Sequence, residues 1–155
     1  MLRSLSGMVS AFGIVLALAS ISVRAQNTLD SLKAAAEQAR GGHQAQLYAE
    51  ITGALVDRSS DEFAQNHFEQ GHASVNEALQ YGIKASDQAI ASRQRMKEVE
   101  IQLRLSQRRL EAIKRTLPAA DRPPLDVAGN KLADLRQKLL DAMFAKPKKK
   151  PEESK

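Results

Sequence analysis

The feature that most constrains this chain is an apolar repeat running from Phe68 to Leu117. Phe68, Gly71, Val75, Ala78, Gly82, Ala85, Ala89, Ser92, Met96, Val99, Leu103, Ser106, Leu110, Ile113 and Leu117 follow one another at alternating steps of three and four residues. That period holds one side of a helix against a partner along its whole length. The first half of the stretch is built mostly from small residues and the second half from large aliphatics. Ser59-Ser60 followed by Asp61-Glu62 reads as a helix start, a hydroxyl cap with acids in the first turn. From there to Leu117 the spacing predicts one long central helix of about 57 residues, ~85 Å at 1.5 Å per residue. The alternative is a break at Gly82, with Ser86-Asp87 capping a second helix.

Pro118 stops the helix, and Pro118–Pro124 forms a loop with a Pro-Pro restart. Leu125, Ala128, Leu132, Leu135, Leu139 and Ala142 then repeat the spacing. Two such stripes joined by a short loop predict an antiparallel heptad hairpin over residues 96–144. Its packing seam is Met96, Val99, Leu103, Leu110, Ile113, Leu117, Leu125, Leu132, Leu135 and Leu139. Further apolar positions at Ile101, Leu105, Leu140 and Phe144 call for cover from the N-terminal helices or from a second copy of the chain.

Upstream, Asn27 to Arg40 reads as a short helix with Leu29, Leu32, Ala36 and Ala39 on one face, ended by Gly41-Gly42. A second helix spans about His43 to Arg58, with Leu47, Tyr48, Ile51, Ala54 and Leu55 as its stripe. The residues dominating the composition are good helix formers, and no segment alternates as a half-buried strand does. The expected class is all-α: one bundle of about four helices, compact or elongated, over residues 26–145.

The ends differ from this body. Residues 1–25 have a positive start at Arg3, an apolar core from Met8 to Ala19 and a small-residue exit at Val23-Arg24-Ala25, the pattern of a secretory signal peptide. The alternative is an uncleaved membrane anchor formed by the uncharged residues 4–23. The expected location is periplasmic or extracellular. Residues 146–155, Lys-Pro-Lys-Lys-Lys-Pro-Glu-Glu-Ser-Lys, carry no apolar period and read as a disordered basic tail.

Charge is informative only after it is divided. The chain of 155 residues has a net charge of +5, but the two ends supply all of it. The body holds 16 basic and 16 acidic residues, so nucleic acid is not an expected partner. Within the body, residues 26–90 hold nine acids against four bases, while 91–117 hold eight bases against three acids. Those bases, Arg93, Arg95, Lys97, Arg104, Arg108, Arg109, Lys114 and Arg115, are the candidate contact residues for an anion or a partner. The plainer reading is that they answer the helix dipole, pair with Glu98, Glu100 and Glu111, or face the acidic half.

Chemistry is otherwise sparse. The chain has no cysteine, which excludes disulfides and thiolate chemistry. Glu69 and His72 form one Glu-x-x-His, whereas a di-iron bundle uses two such pairs with two further glutamates. No phosphate loop, dinucleotide fingerprint or nucleophile elbow occurs. No catalytic, cofactor-binding or metal residues are expected. The functional expectation is a non-enzymatic exported helical protein acting through helix–helix contacts with itself or a cell-envelope partner. The alternatives are a peripheral binder of anionic membrane or wall polymer and, behind it, a metal-binding bundle.

Overall fold

The computed structural model of the chain describes residues 28–145. The expected signal segment, its cleavage region and the basic tail lie outside these residues. The chain is all-α: the described residues form five packed helices, one 3-10 turn and no strand. Helix α1 covers residues 28–38. Then come α2 (Gly41–Ala64), α3 (Phe68–Ser92), α4 (Met96–Thr116), the 3-10 turn Ala119–Asp121 and α5 (Pro123–Phe144). No helix among the described residues is long and apolar enough to cross a membrane.

Helix α2 runs through Ser59-Ser60 instead of ending before it, correcting the expected start there. The Ser59 hydroxyl is buried and donates to the Val56 carbonyl at 2.7 Å. A serine satisfied by its own helix has no need to cap another. The helix ends at Ala64, and Asn66 just beyond it adopts a positive φ of 62°. There the Asn66 N–H reaches the Phe63 carbonyl and the His67 N–H reaches the Glu62 carbonyl, a Schellman end that asparagine tolerates well.

The expected long central helix does not exist. It breaks at Arg93-Gln94-Arg95, not at Gly82, which lies buried within α3. Both arginines are left-handed, at φ 53° and 56°, a conformation costing a residue with a Cβ ~1–2 kcal/mol. The turn is held from outside. Gln94 Oε1 accepts the Gly42 N–H at 3.3 Å, serving an otherwise unpaired donor at the start of α2. A Cβ on Gly42 would stand 2.6 Å from Gln94 Cβ and 2.9 Å from Arg95 Cγ. Gly41-Gly42 therefore opens α2 and seats the distant turn, beyond the expected role of ending α1.

The result is two helical hairpins, α2–α3 and α4–α5, laid one on the other. Helix α2 lies on α4 and α3 lies on α5. Gly42 meets Gln94, and Asp57 meets Arg109 farther along, so α2 and α4 run parallel. Helix α1 is tied to α3 by Lys33, whose Nζ lies 2.6 Å from Glu77 Oε1. The core draws on every helix: Leu29, Ile51, Leu55, Val75, Val99, Leu103, Leu132 and Leu139 are among its buried members.

Small residues on α3 receive large ones from neighbouring helices. Gly71 lies under the Phe63 ring, where a Cβ would stand 2.6 Å from ring carbon. Gly82 lies under Leu132, with Leu103 and Leu135 close by. Of the ten expected packing positions, nine are buried and Met96 is partly buried against the core. The other apolar positions fare differently: Ile101 and Leu140 are half-buried, while Leu105 is 40% and Phe144 81% exposed. The N-terminal hairpin covers the inner side of α4–α5 and leaves these two at the surface.

Candidate functional site

Helix α4 has two sides of opposite character. Val99, Leu103, Ser106, Leu110 and Ile113 turn inward, and the polar residues between them turn outward. The fold sorts the eight expected contact cations into three groups.

Arg109 and Lys114 have partners within the bundle. Arg109 Nη1 lies 3.0 Å from Asp57 Oδ2, linking α4 to α2. Lys114 Nζ lies 2.6 Å from Asp126 and 2.8 Å from Glu111, and its hydrogen bonds to these carboxylates, Asp126 first, raise its pKa above the usual lysine value. Arg109 is exposed and Lys114 half-buried with exposed carboxylate partners, so neither pairing adds much stability. Arg93 and Arg95 lie exposed in the turn between α3 and α4, with Lys97 just beyond them in the first turn of α4.

The remaining three form a cluster. Arg104, Arg108 and Arg115 line a shallow groove of about 680 Å³ together with Gln107, Glu111, Ala112 and Arg136 of α5. Glu100 is nearly buried and gives its Oε1 to Arg136, at 2.9 Å from both Nε and Nη2. Arg136 Nη1 also donates to Gln107 Oε1 at 2.7 Å. That network fixes the wall contributed by α5. Arg104 stands 3.8 Å from the other Glu100 oxygen, too far for a good hydrogen bond. Arg108 and Arg115 are exposed and make no ion pair among the described residues. The groove thus offers guanidinium groups held loosely or not at all, next to one held firmly.

Sequence reasoning missed Arg136. Its signal was Glu100, a carboxylate next to the packing residue Val99, where a charge drawn toward the core calls for a cation on the facing helix.

The Glu69-x-x-His72 pair does not assemble as a site. Glu69 is exposed, and His72 Nε2 instead lies 3.3 Å from Asp121 Oδ1 in the 3-10 turn. The imidazole edge packs on Phe63 with centroids 5.1 Å apart, and Nδ1 is buried without a partner. Among the described residues no three His, Asp or Glu side chains are grouped to hold a metal. A second polar cluster joins Tyr48 and Tyr81, with Lys84 Nζ 4.8 Å from the Tyr81 centroid and Lys33 5.8 Å from it. Burial pushes the Tyr81 phenol upward and Lys33 pulls it partly back, and the ring–cation distances make this a cation–aromatic contact joining α1, α2 and α3.

No family model, curated protein or solved structure matches this chain.

Proposed function

We propose that this is a non-enzymatic exported protein that works by contact, with the outer face of α4 as its working surface. The partner is an anionic component of the cell envelope. The observation that carries this reading is the pair of exposed arginines, Arg108 and Arg115, without an ion pair among the described residues and beside the loosely held Arg104. A guanidinium kept only for stability is expected to have a carboxylate within reach, as Arg109 has. The export part of the proposal rests on the sequence of residues 1–25, with an anchor at residues 4–23 as its variant.

Helix–helix contact with a second copy or an envelope protein is the second reading. The exposure of Leu105 and Phe144 favours it. The seam argues for less than it did on sequence, because its large side chains are spent inside the chain. The same proposal takes Met96–Leu117 against Leu125–Ala142 as an antiparallel heptad hairpin. Support comes from the packing of α4 on α5 and from the Lys114–Asp126 and Arg136–Glu100 pairs along it.

Cosedimentation separates the two readings. An anionic-surface binder pellets with acidic vesicles or wall material and is released by ~0.5 M salt, where screening falls well inside 10 Å. Release failing in salt, together with a mass that rises with concentration in light scattering, would overturn the anionic reading in favour of self-contact.

A further inference from the structure

We infer that the groove along α4 binds a linear phosphate-bearing polymer, held as a chain of anions laid along the helix. This rests on the anionic-partner reading above and narrows it to one class of partner. Lys97, which stands beyond the groove's lining near the start of α4, and then Arg104, Arg108 and Arg115 within it follow at steps of seven, four and seven residues, which keeps them on one side of a helix. From first to last they span about 27 Å at ~1.5 Å per residue. A single phosphate cannot meet groups so far apart, whereas a run of phosphates can.

The groove walls suit that occupant. Three of the four cations are arginines, whose planar fork donates two parallel hydrogen bonds to a phosphate. Arg136 stands on the opposite wall, its guanidinium fixed by Glu100 and Gln107. Glu111, the one acid lining the groove, is engaged by Lys114 at 2.8 Å, which offsets its charge.

Two other partners fit less well. A bilayer holds a cationic helix more firmly when apolar side chains insert beside the charges. Of the three exposed large apolar residues among the described residues, Leu105, Val127 and Phe144, only Leu105 belongs to α4. Base recognition in a single-stranded nucleic acid needs aromatic platforms, and α4 contains no aromatic residue. Recognition through phosphates alone is what this face can provide.

The test is a binding titration of the intact chain with long-chain inorganic polyphosphate over a salt series, with pyrophosphate and phosphatidylserine vesicles in parallel. With four charges neutralised, the log–log salt slope is expected near −3, about a 60-fold loss from roughly 50 to 200 mM salt. R108Q/R115Q should weaken polymer binding about 25-fold, roughly five-fold per charge, with its thermal melting unchanged. K131Q/K138Q, which removes two exposed charges from α5 that do not line the groove, should stay within about two-fold of wild type, because charges that touch no phosphate are largely screened. Equal losses from the two double variants would overturn the inference, as would pyrophosphate binding as tightly as the polymer. Vesicle binding without polymer binding would also overturn it and leave the anionic-partner reading standing. Failure to bind polymer, pyrophosphate or vesicles would end both.

Discussion

Helices α3 and α4 share one spacing and solve opposite packing problems with it. The inward face of α3 is Gly71, Ser74, Val75, Ala78, Gly82, Ala85, Ser86 and Ala89, nearly all small. That of α4 is Val99, Leu103, Leu110 and Ile113 with Ser106 between them. The small face receives and the large face inserts: Phe63 fills the space over Gly71, and Leu103 and Leu132 fill the space over Gly82. Side-chain volume, more than the period, decides which helix can be enclosed by its neighbours. Helix α3 packs on both α2 and α5, with Lys33 of α1 reaching its outer side. Helix α4 inserts its leucines and leaves its arginines at the surface, where a partner can reach them.

That contrast can be broken most severely from the inserting side. Leu110 is 2% exposed, and Leu110→Asp places an unpaired carboxylate among apolar neighbours. The cost exceeds the ~2–5 kcal/mol of a simple Leu→Ala cavity. Loss of the cooperative thermal transition in circular dichroism is expected, and a wild-type melt would contradict the packing of α4.

The receiving side should show a smaller and graded response. Gly71→Ala puts a methyl against three atoms of the rigid Phe63 ring at 2.6–2.7 Å, and overpacking of that kind costs ~1–3 kcal/mol. Gly82→Ala meets the end of the flexible Leu132 side chain at 3.0 Å. The helix-propensity gain of ~1 kcal/mol over glycine offsets that contact, leaving stability near wild type. Denaturant melts of the two variants check this, and equal destabilisation would remove the distinction between a ring and a methyl neighbour. At the low end, Gly53→Ala on α2 makes ordinary contacts at 3.7 and 3.8 Å with Arg109 and Ser106. An increase of ~0.5–1 kcal/mol is expected in the same melts; a decrease would mean that α2 and α4 lie closer than described.

The helical class and the inward faces were legible because apolar periodicity registers burial directly. The turns were legible only where a residue carried a backbone preference. Pro118 and the Pro-Pro restart mark the last loop, and Asn66 was available as a sign of the α2 end. Nothing local marks Arg93-Gln94-Arg95. Arginine is a good helix former, and the contact that holds the turn comes from Gly42, 52 residues earlier. A small-residue face also continues any phase, so the repeat passed through the reversal unbroken. Ser59-Ser60 misled in the other direction, since a hydroxyl that caps a helix can equally bond back within one. For the site, the excess of bases was plain, but its division was not. Which of the cations are paired depends on Asp57, Glu100 and Asp126, of which two lie on other helices.

The claim on which the rest depends is that residues 68–117 fold back on themselves and so turn the arginine face of α4 outward. The chain contains no cysteine, so two introduced cysteines can carry spin labels without interference. Gln70 and Thr116 are both exposed, and their ends of α3 and α4 meet near the His72–Asp121 contact. For Q70C/T116C the fold predicts a separation of about 20–30 Å by double electron–electron resonance, the width of two or three packed helices. A continuous helix would hold the same labels about 69 Å apart, and a distance near that value would contradict the account.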